Sequence, residues 1–125
     1  MSQDAAVSLE IPERLRSVVQ SVLDRKAAEL RVLHIGRVSD FTEFFLICSG
    51  SNQRQVQAIA DAVVEAAKEA GIRPLGVEGY NQGSWILVDC GDMVIHVFSS
   101  ESRDVYGLEK LWSDADDITG TFVAQ

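Results

Sequence analysis

Apolar residues recur along this chain with a helical period in two segments. One segment follows Ile11-Pro12 and covers about 15–23, and the other covers 56–67, each with charged or polar residues on the remaining positions. The second helix has Asn52 as a suitable N-cap, and Gly71 stands where the C′ residue of a helix is expected. The pattern therefore predicts two amphipathic helices, each with one buried face.

Between and after these helices lie apolar runs of strand length, at about 30–38, 44–50, 74–78, 85–90 and 93–98. The run 44–50 is almost continuously apolar and ends in glycine, which favours a strand buried on both faces. Since a helix separates 44–49 from 74–78, we expect these two strands to form a parallel pair joined by a crossover. The expected fold is α/β, with a mixed sheet of about five strands and flanking helices.

The two adjacent runs around Gly91-Asp92 predict a β-hairpin with a two-residue type II′ turn. This turn sets the register, and it places six apolar residues opposite one another on one face: Cys90 with Met93, Val88 with Ile95, and Ile86 with Val97. The other face carries Trp85, Leu87, Asp89, Val94, His96 and Phe98. Because that face is mixed, it requires either a covering helix or a partner.

A last helix is expected from about Ser100 to Trp112. Val105, Leu108 and Trp112 share one face of it, while Tyr106 and Lys110 lie beside that face. This segment could pack in the core or form a partner surface, and Leu108 and Leu111 lie at the boundary between the two faces.

We expect one domain over 11–115, a flexible N-terminal tail over 1–10, and an acidic flexible tail over 116–125.

Composition and charge narrow the class of protein. The chain has 125 residues and a net charge of −8, from 11 basic and 19 acidic residues, which argues against broad binding to nucleic-acid phosphates. No apolar run is long enough for a membrane span, and the N-terminal segment has no targeting signature. The cysteines Cys48 and Cys90 lie in apolar runs and are expected to be reduced core thiols. We therefore expect a cytoplasmic protein without a membrane partner.

Two features could carry chemistry. Asp89 and His96 lie diagonally across the predicted hairpin, within reach of a water-bridged acid–base pair, and Ser49-Gly50-Ser51 lies at a strand–helix junction of the kind that binds phosphates. They support an alternative in which the protein is a nucleotide-binding or nucleotidyltransferase-like enzyme. The paired carboxylates that such enzymes use to hold Mg²⁺ are absent from the predicted strands 74–78, 85–90 and 93–98. A non-enzyme without a cofactor is therefore the favoured interpretation.

The segment 76–115 closely resembles the ribosomal silencing factor family, also called Iojap-like. The matching residues are Val77-Glu78-Gly79, Trp85, Asp89, Gly91-Asp92, His96 within "VIHVF", Arg103, Tyr106 and the ending Leu108-Glu109-x-Leu111-Trp112. The segment "ICSGSNQRQVQAIADAV" (47–63) fits the strand–helix pattern of the same family. The resemblance covers roughly residues 15–115.

This resemblance implies a nucleotidyltransferase-like α/β fold without established catalysis. It further implies a translational repressor that binds the large ribosomal subunit through its protein uL14, blocks association with the small subunit when nutrients are limiting, and can form a homodimer. Motif identity together with expected exposure gives the candidate contact residues Trp85, His96, Arg103, Tyr106, Leu108, Lys110 and Leu111. Trp112 is expected to pack inward.

Overall fold

The computed structural model of the chain describes residues 11–106, 110 and 113–123. The expected N-terminal tail, 1–10, lies outside the described residues. The helices are α1 (Glu13–Asp24), α2 (Gln53–Glu69) and α3 (Ser100–Tyr106). The strands are β1 (Ala28–His34), β2 (Phe44–Gly50), β3 (Gly76–Glu78), β4 (Trp85–Asp89), β5 (Met93–Ser99) and β6 (Asp116–Asp117), which confirms a mixed α/β fold.

The six strands form one sheet in the order β3-β4-β5-β2-β1-β6. Its centre is the parallel pair of β2 and β5, in register from Phe44 opposite Met93 to Gly50 opposite Ser99. All seven residues of β2 are buried, as its continuous apolar run predicts, and β5 is buried from Met93 to Phe98. Every other strand pair is antiparallel.

The β4–β5 hairpin has the register that the sequence predicts. Ile86 lies opposite Val97 and Val88 opposite Ile95, while the Cys90 amide donates to the Met93 carbonyl at 2.9 Å. Gly91 adopts a positive φ of +85°, and the turn closes with the Asp92 amide donating to the Cys90 carbonyl at 3.1 Å, which is the i→i+2 bond of a γ-turn where the sequence predicts a type II′ turn. The six predicted core-face residues of the hairpin all belong to the main buried cluster, so the assignment of the core face is confirmed.

The predicted parallel pairing of 44–49 with 74–78 is wrong. The second segment forms β3, which pairs antiparallel with β4 at the edge of the sheet, and β5 takes the place beside β2. A buried central position suits a strand that is apolar on both faces, as β5 is, whereas the three residues of β3 are only half-buried or exposed. The β4–β5 hairpin therefore lies between β3 and β2 in the sheet.

The first strand is shorter than the predicted 30–38, since β1 ends at His34. The chain then turns, with the Val38 amide bonded to the Ile35 carbonyl at 2.9 Å. Gly36 lies against the carboxylate of Glu43, where a Cβ atom would stand only 2.7 Å from Oε2. A side chain at position 36 would therefore have to displace the Glu43 carboxylate.

The helices α1 and α2 cover one face of the sheet. Their apolar stripes supply Leu15, Val18, Val19, Val22, Val56, Ile59, Ala60, Val63 and Ala67 to the main cluster. Asn52 caps α2 as predicted, with its side chain accepting from the Gln55 amide.

Cys48 and Cys90 are free and buried. Burial raises the pKa of the Cys48 thiol to about 12 and that of the Cys90 thiol to about 11, so both thiols remain protonated at neutral pH.

The segment after residue 115, for which the sequence indicates a tail, lies against the sheet from Asp116 to Phe122. Strand β6 pairs with β1, and Ile118 and Phe122 pack on the main cluster. Thr119 is 1% exposed, and its hydroxyl accepts from the Val32 amide at 2.9 Å and donates to Asp117 Oδ1 at 2.5 Å. The acidic residues are thus used locally, in ion pairs of Asp116 with Arg37 and of Asp117 with Arg31.

Removing the Thr119 hydroxyl should destabilise the fold measurably. In Thr119→Val the buried Val32 amide loses its acceptor, so we expect the free energy of unfolding, measured by urea denaturation, to fall by about 1–3 kcal/mol. Thr121→Val, two residues away and exposed, is the matched control and should change it by less than about 0.5 kcal/mol. Equal effects of the two substitutions would contradict this role of Thr119.

Candidate partner-binding site

The second face of the sheet is apolar at its centre and mixed towards the β3–β4 edge. At the centre, Leu33, Ile35, Phe45, Ile47, Val94 and Phe98 form a second buried cluster. Towards the edge, Glu78 lies opposite Leu87, and Trp85 and Asp89 occupy the neighbouring positions of β4 on the same face. We call these four residues, Glu78, Trp85, Leu87 and Asp89, the outer-strand patch. Glu78 is exposed and the other three are half-buried.

Trp85 is held in place by two residues of β5. Its ring stacks on Phe98, with centroids 5.3 Å apart and planes 21° apart. Its indole Nε1–H donates to His96 Nδ1 at 3.0 Å. One aromatic contact and one hydrogen bond therefore fix the orientation of the largest side chain of the outer-strand patch.

His96 lies beneath this patch and is 4% exposed. An indole nitrogen can only donate, so Nδ1 must accept and the ring proton resides on Nε2. Nε2 is buried and has no hydrogen-bond partner among the residues that the structure describes. Burial lowers the pKa of His96 from 6.5 to about 4, because a charged ring would be poorly solvated there. The histidine is therefore neutral at physiological pH and acts as an acceptor for Trp85.

Asp89 and His96 lie diagonally across the hairpin as predicted, but the structure gives each a different partner. Asp89 Oδ1 accepts from the Gly91 amide at 2.9 Å, an interaction that stabilises the turn, while His96 Nδ1 receives Trp85. A neutral buried imidazole with a pKa near 4 is a poor general base at neutral pH. The arrangement supports the position of Trp85 rather than proton transfer.

The groups of Ser49-Gly50-Ser51 are also bonded internally. Ser49 Oγ accepts from Arg103 Nη1 at 3.0 Å, and the amide and hydroxyl of Ser51 both donate to Gln55 Oε1, at 2.7 and 2.9 Å. The junction is a capped helix start, which is the structural interpretation that the sequence favours. Over the described ranges, no group of three or more His, Cys, Asp and Glu side chains could hold a metal ion.

The predicted contact residues differ in where they lie. Trp85 is half-buried on the outer-strand patch, and Lys110 is helical and exposed. His96 and Arg103, in contrast, are only 4% and 5% exposed, and their role as contact residues remains a prediction. The backbone at Tyr106 ends α3. The side chain of Tyr106, and Leu108 and Leu111 altogether, lie outside the described part of the chain.

Two groups of residues near Trp85 were not among the predicted contacts. Leu87 and Glu78 share its face; strand alternation had placed Leu87 on the mixed face, but Leu87 was not chosen as a contact residue. The second group lies on α2, where Gln53, Gln57 and Asp61 bond the loop 79–84 that leads into β4. Periodicity gives no signal for these contacts, because they join segments far apart in the sequence.

Comparison with known proteins gives a consistent result. The family model described as "Ribosomal silencing factor during starvation" matches residues 8–125. A protein of Halalkalibacterium halodurans named ribosomal silencing factor RsfS is 44% identical over 106 residues, which cover 85% of this chain and 91% of that protein. A mouse protein named "Mitochondrial assembly of ribosomal large subunit protein 1" is 31% identical over 99 residues, 77% of this chain and 43% of that protein.

A solved structure has the same fold. The crystal structure of a protein from Chromobacterium violaceum superposes with a TM-score of 0.80 at 34% sequence identity, covering 84% of this chain and 88% of that one. None of the helices in the described part of the chain is long and apolar enough to cross a membrane.

The buried state of His96 predicts a dependence of stability on pH. The pKa of this group is about 6.5 when the chain is unfolded and about 4 when it is folded, so between these values the unfolded chain binds more protons. Acidification from pH 6.5 to 4 should therefore lower the free energy of unfolding by up to about 3 kcal/mol through His96 alone. Urea titrations of the wild type and of His96→Gln across this range measure the difference.

The His96→Gln variant isolates this contribution, because carboxylates such as Asp116, whose pKa is lowered mainly by its hydrogen bond to Arg37, titrate in both proteins. The wild type should lose more stability than the variant as the pH falls. Parallel curves for the two proteins would show that His96 is not buried in its neutral form.

Proposed function

Since the chain belongs to the family of ribosomal silencing factors, we propose that it represses translation by binding the large ribosomal subunit through protein uL14 and blocking association with the small subunit. The block is steric and needs no reaction. The protein would act where ribosomes are assembled and used, in the cytoplasm, when nutrients are limiting.

The names of its relatives support this proposal at the level of the partner. The family description joins ribosomal silencing to starvation, and the name of the mouse relative refers to assembly of the large ribosomal subunit. Two related proteins named for the ribosome, one for silencing and one for large-subunit assembly, favour a ribosomal partner for the shared domain.

The observation that carries the proposal is the outer-strand patch. Trp85 and Leu87 offer apolar surface that is only half-buried, and Trp85 is fixed by Phe98 and His96 before any partner arrives. Large rigid aromatic side chains frequently supply the desolvated centre of protein interfaces. Because ordering a side chain on binding costs free energy, a Trp85 that is already ordered favours tight association.

Charge supports a basic protein as the partner. Glu78 and Asp89 flank Leu87 on this patch, and the whole chain carries a net charge of −8. Such a surface is attracted to a protein rich in Lys and Arg and repelled by exposed RNA phosphates. The proposal therefore assigns binding to a ribosomal protein and not to ribosomal RNA.

We assign different roles to the predicted contact residues. Trp85 and Lys110 are proposed to touch the partner, together with Tyr106, Leu108 and Leu111 as the family resemblance implies. His96 and Arg103 are proposed to act from beneath the surface, since both are buried and bonded to Trp85 and Ser49. A stable interface buries roughly 800 Å² on each partner, which is more than the outer-strand patch alone offers.

Co-sedimentation with purified large subunits tests the proposal. Wild-type protein should sediment with them at moderate salt, and Trp85→Ala should weaken binding by about 30-fold or more, the effect of losing an interface anchor. Phe41→Ala is the matched control, because Phe41 is an aromatic residue on the β1–β2 loop with 69% exposure, outside the proposed surface. Wild-type protein that stays in the supernatant would contradict the proposal.

A photo-crosslinking amino acid at Leu87 identifies the neighbour. Position 87 is half-buried at the middle of the outer-strand patch, so a reactive side chain there reaches a bound partner. Mass spectrometry of the crosslinked product should identify uL14. Crosslinks only to other ribosomal proteins or to RNA would keep ribosome binding but reject this partner.

A further inference from the structure

A ladder of three side chains on α2 holds the loop 79–84. Gln53, Gln57 and Asp61 lie one helical turn apart on the same face of the helix. Gln53 Nε2 donates to the Asn81 carbonyl at 2.7 Å, and Gln57 Nε2 donates to the Tyr80 carbonyl at 2.8 Å. Asp61 Oδ2 accepts from the Tyr80 hydroxyl at 3.1 Å. The backbone carbonyls of Tyr80 and Asn81, in an exposed loop, therefore accept hydrogen bonds from side chains of α2.

Two glycines allow the loop to come this close. Gly83 has φ +66°, and a Cβ atom there would stand 2.4 Å from Gln53 Cγ. Gly79 has φ +80°, and a Cβ atom there would stand 2.2 Å from the Trp85 carbonyl oxygen. Both positions therefore need glycine for backbone conformation and for space, and both place the loop between α2 and the start of β4.

The loop leads directly into Trp85. The Gly83 amide closes it by donating to the Gly79 carbonyl at 3.1 Å, and the Ser84 carbonyl accepts from Ser99 at 2.9 Å. Residues 79–82 are exposed, so water competes for every polar group that α2 does not hold. The contacts made from α2 therefore act on the segment that immediately precedes Trp85.

We propose that Gln53 and Gln57 are positioning residues for partner binding. They hold loop 79–84 so that Trp85 already has its bound orientation in the free protein. This inference rests on the proposed function, since it concerns the same surface. The two glutamines touch neither Trp85 nor a partner in this role. They act by reducing the number of loop conformations that binding has to select.

The double variant Gln53→Met/Gln57→Met tests the proposal, because methionine keeps the length and helix propensity of glutamine and removes the donor. In ¹⁵N NMR spectra, the indole N–H signal of Trp85 is assigned by its loss in Trp85→Phe. We expect this proton to exchange with water about tenfold faster in the double variant, while the amides of Ile86 and Val97 keep their protection. Unchanged core amides show that the variant is folded.

The second measurement is affinity for purified large subunits, with Gln20→Met as the matched control. Gln20 also donates from an exposed helical position, to Asp24 at 2.9 Å, but it lies on α1. We expect the dissociation constant to rise about tenfold in the double variant and to stay within about twofold of wild type in the control. Rescue is expected with Gln53→Lys/Gln57→Lys, whose ammonium groups restore donors to the two carbonyls.

The outcomes separate the two claims. If the wild type does not bind large subunits, the proposed function fails, and the positioning of a ribosomal contact fails with it. If the wild type binds and the double variant matches the control in either indole exchange or affinity, the proposed function stands and the role of Gln53 and Gln57 is rejected.

Discussion

The parallel pairing of β2 with β5 is the constraint on which the rest of this structure depends. Both strands are buried on both faces, so the fold has to cover the sheet on two sides. On one side, α1 and α2 do this with two regular apolar stripes. The other face carries a second buried cluster at its centre and becomes mixed towards the β3–β4 edge. The outer-strand patch lies at this mixed edge, with Trp85, Leu87 and Asp89 half-buried and Glu78 exposed.

The residues around Trp85 form a connected support for that surface. His96 accepts its indole proton, Phe98 stacks on its ring, and α2 holds the loop that precedes it. Within the described part of the chain the buried Nε2 of His96 has no hydrogen-bond partner, which costs folding free energy. This cost is offset in part by the hydrogen bond through which His96 orients Trp85. The same arrangement uses His96 and Asp89 as structural groups, and it therefore agrees with a regulatory protein that acts by occupying a surface.

Local signals in the sequence predicted much of the fold. The turn at Gly91-Asp92 set the hairpin register, and the Asn52 cap set the start of α2, because each depends on neighbouring residues only. The partner of β2 was predicted wrongly, since strand order depends on competition between distant segments for the buried centre. The packing of Asp116–Phe122 against the sheet was not predicted either, because a two-residue strand and one buried threonine give no periodic pattern.

The candidate site could be predicted only in part. Strand alternation placed Trp85 and His96 on the same face, but it did not show that His96 is buried while Trp85 is half-buried. Arg103 was proposed as a contact from motif identity and expected exposure, yet it is 5% exposed and its guanidinium donates to Ser49. Burial depends on what the rest of the chain places above a residue, and that information comes from the three-dimensional structure.

The central claim is that this protein keeps the two ribosomal subunits apart by occupying the large one. Light scattering during the mixing of purified small and large subunits measures their association directly. Wild-type protein, added to the large subunits first, should lower the amplitude of the association signal in proportion to its occupancy, and Trp85→Ala at the same concentration should restore it. Full association in the presence of saturating, bound wild-type protein would contradict the account.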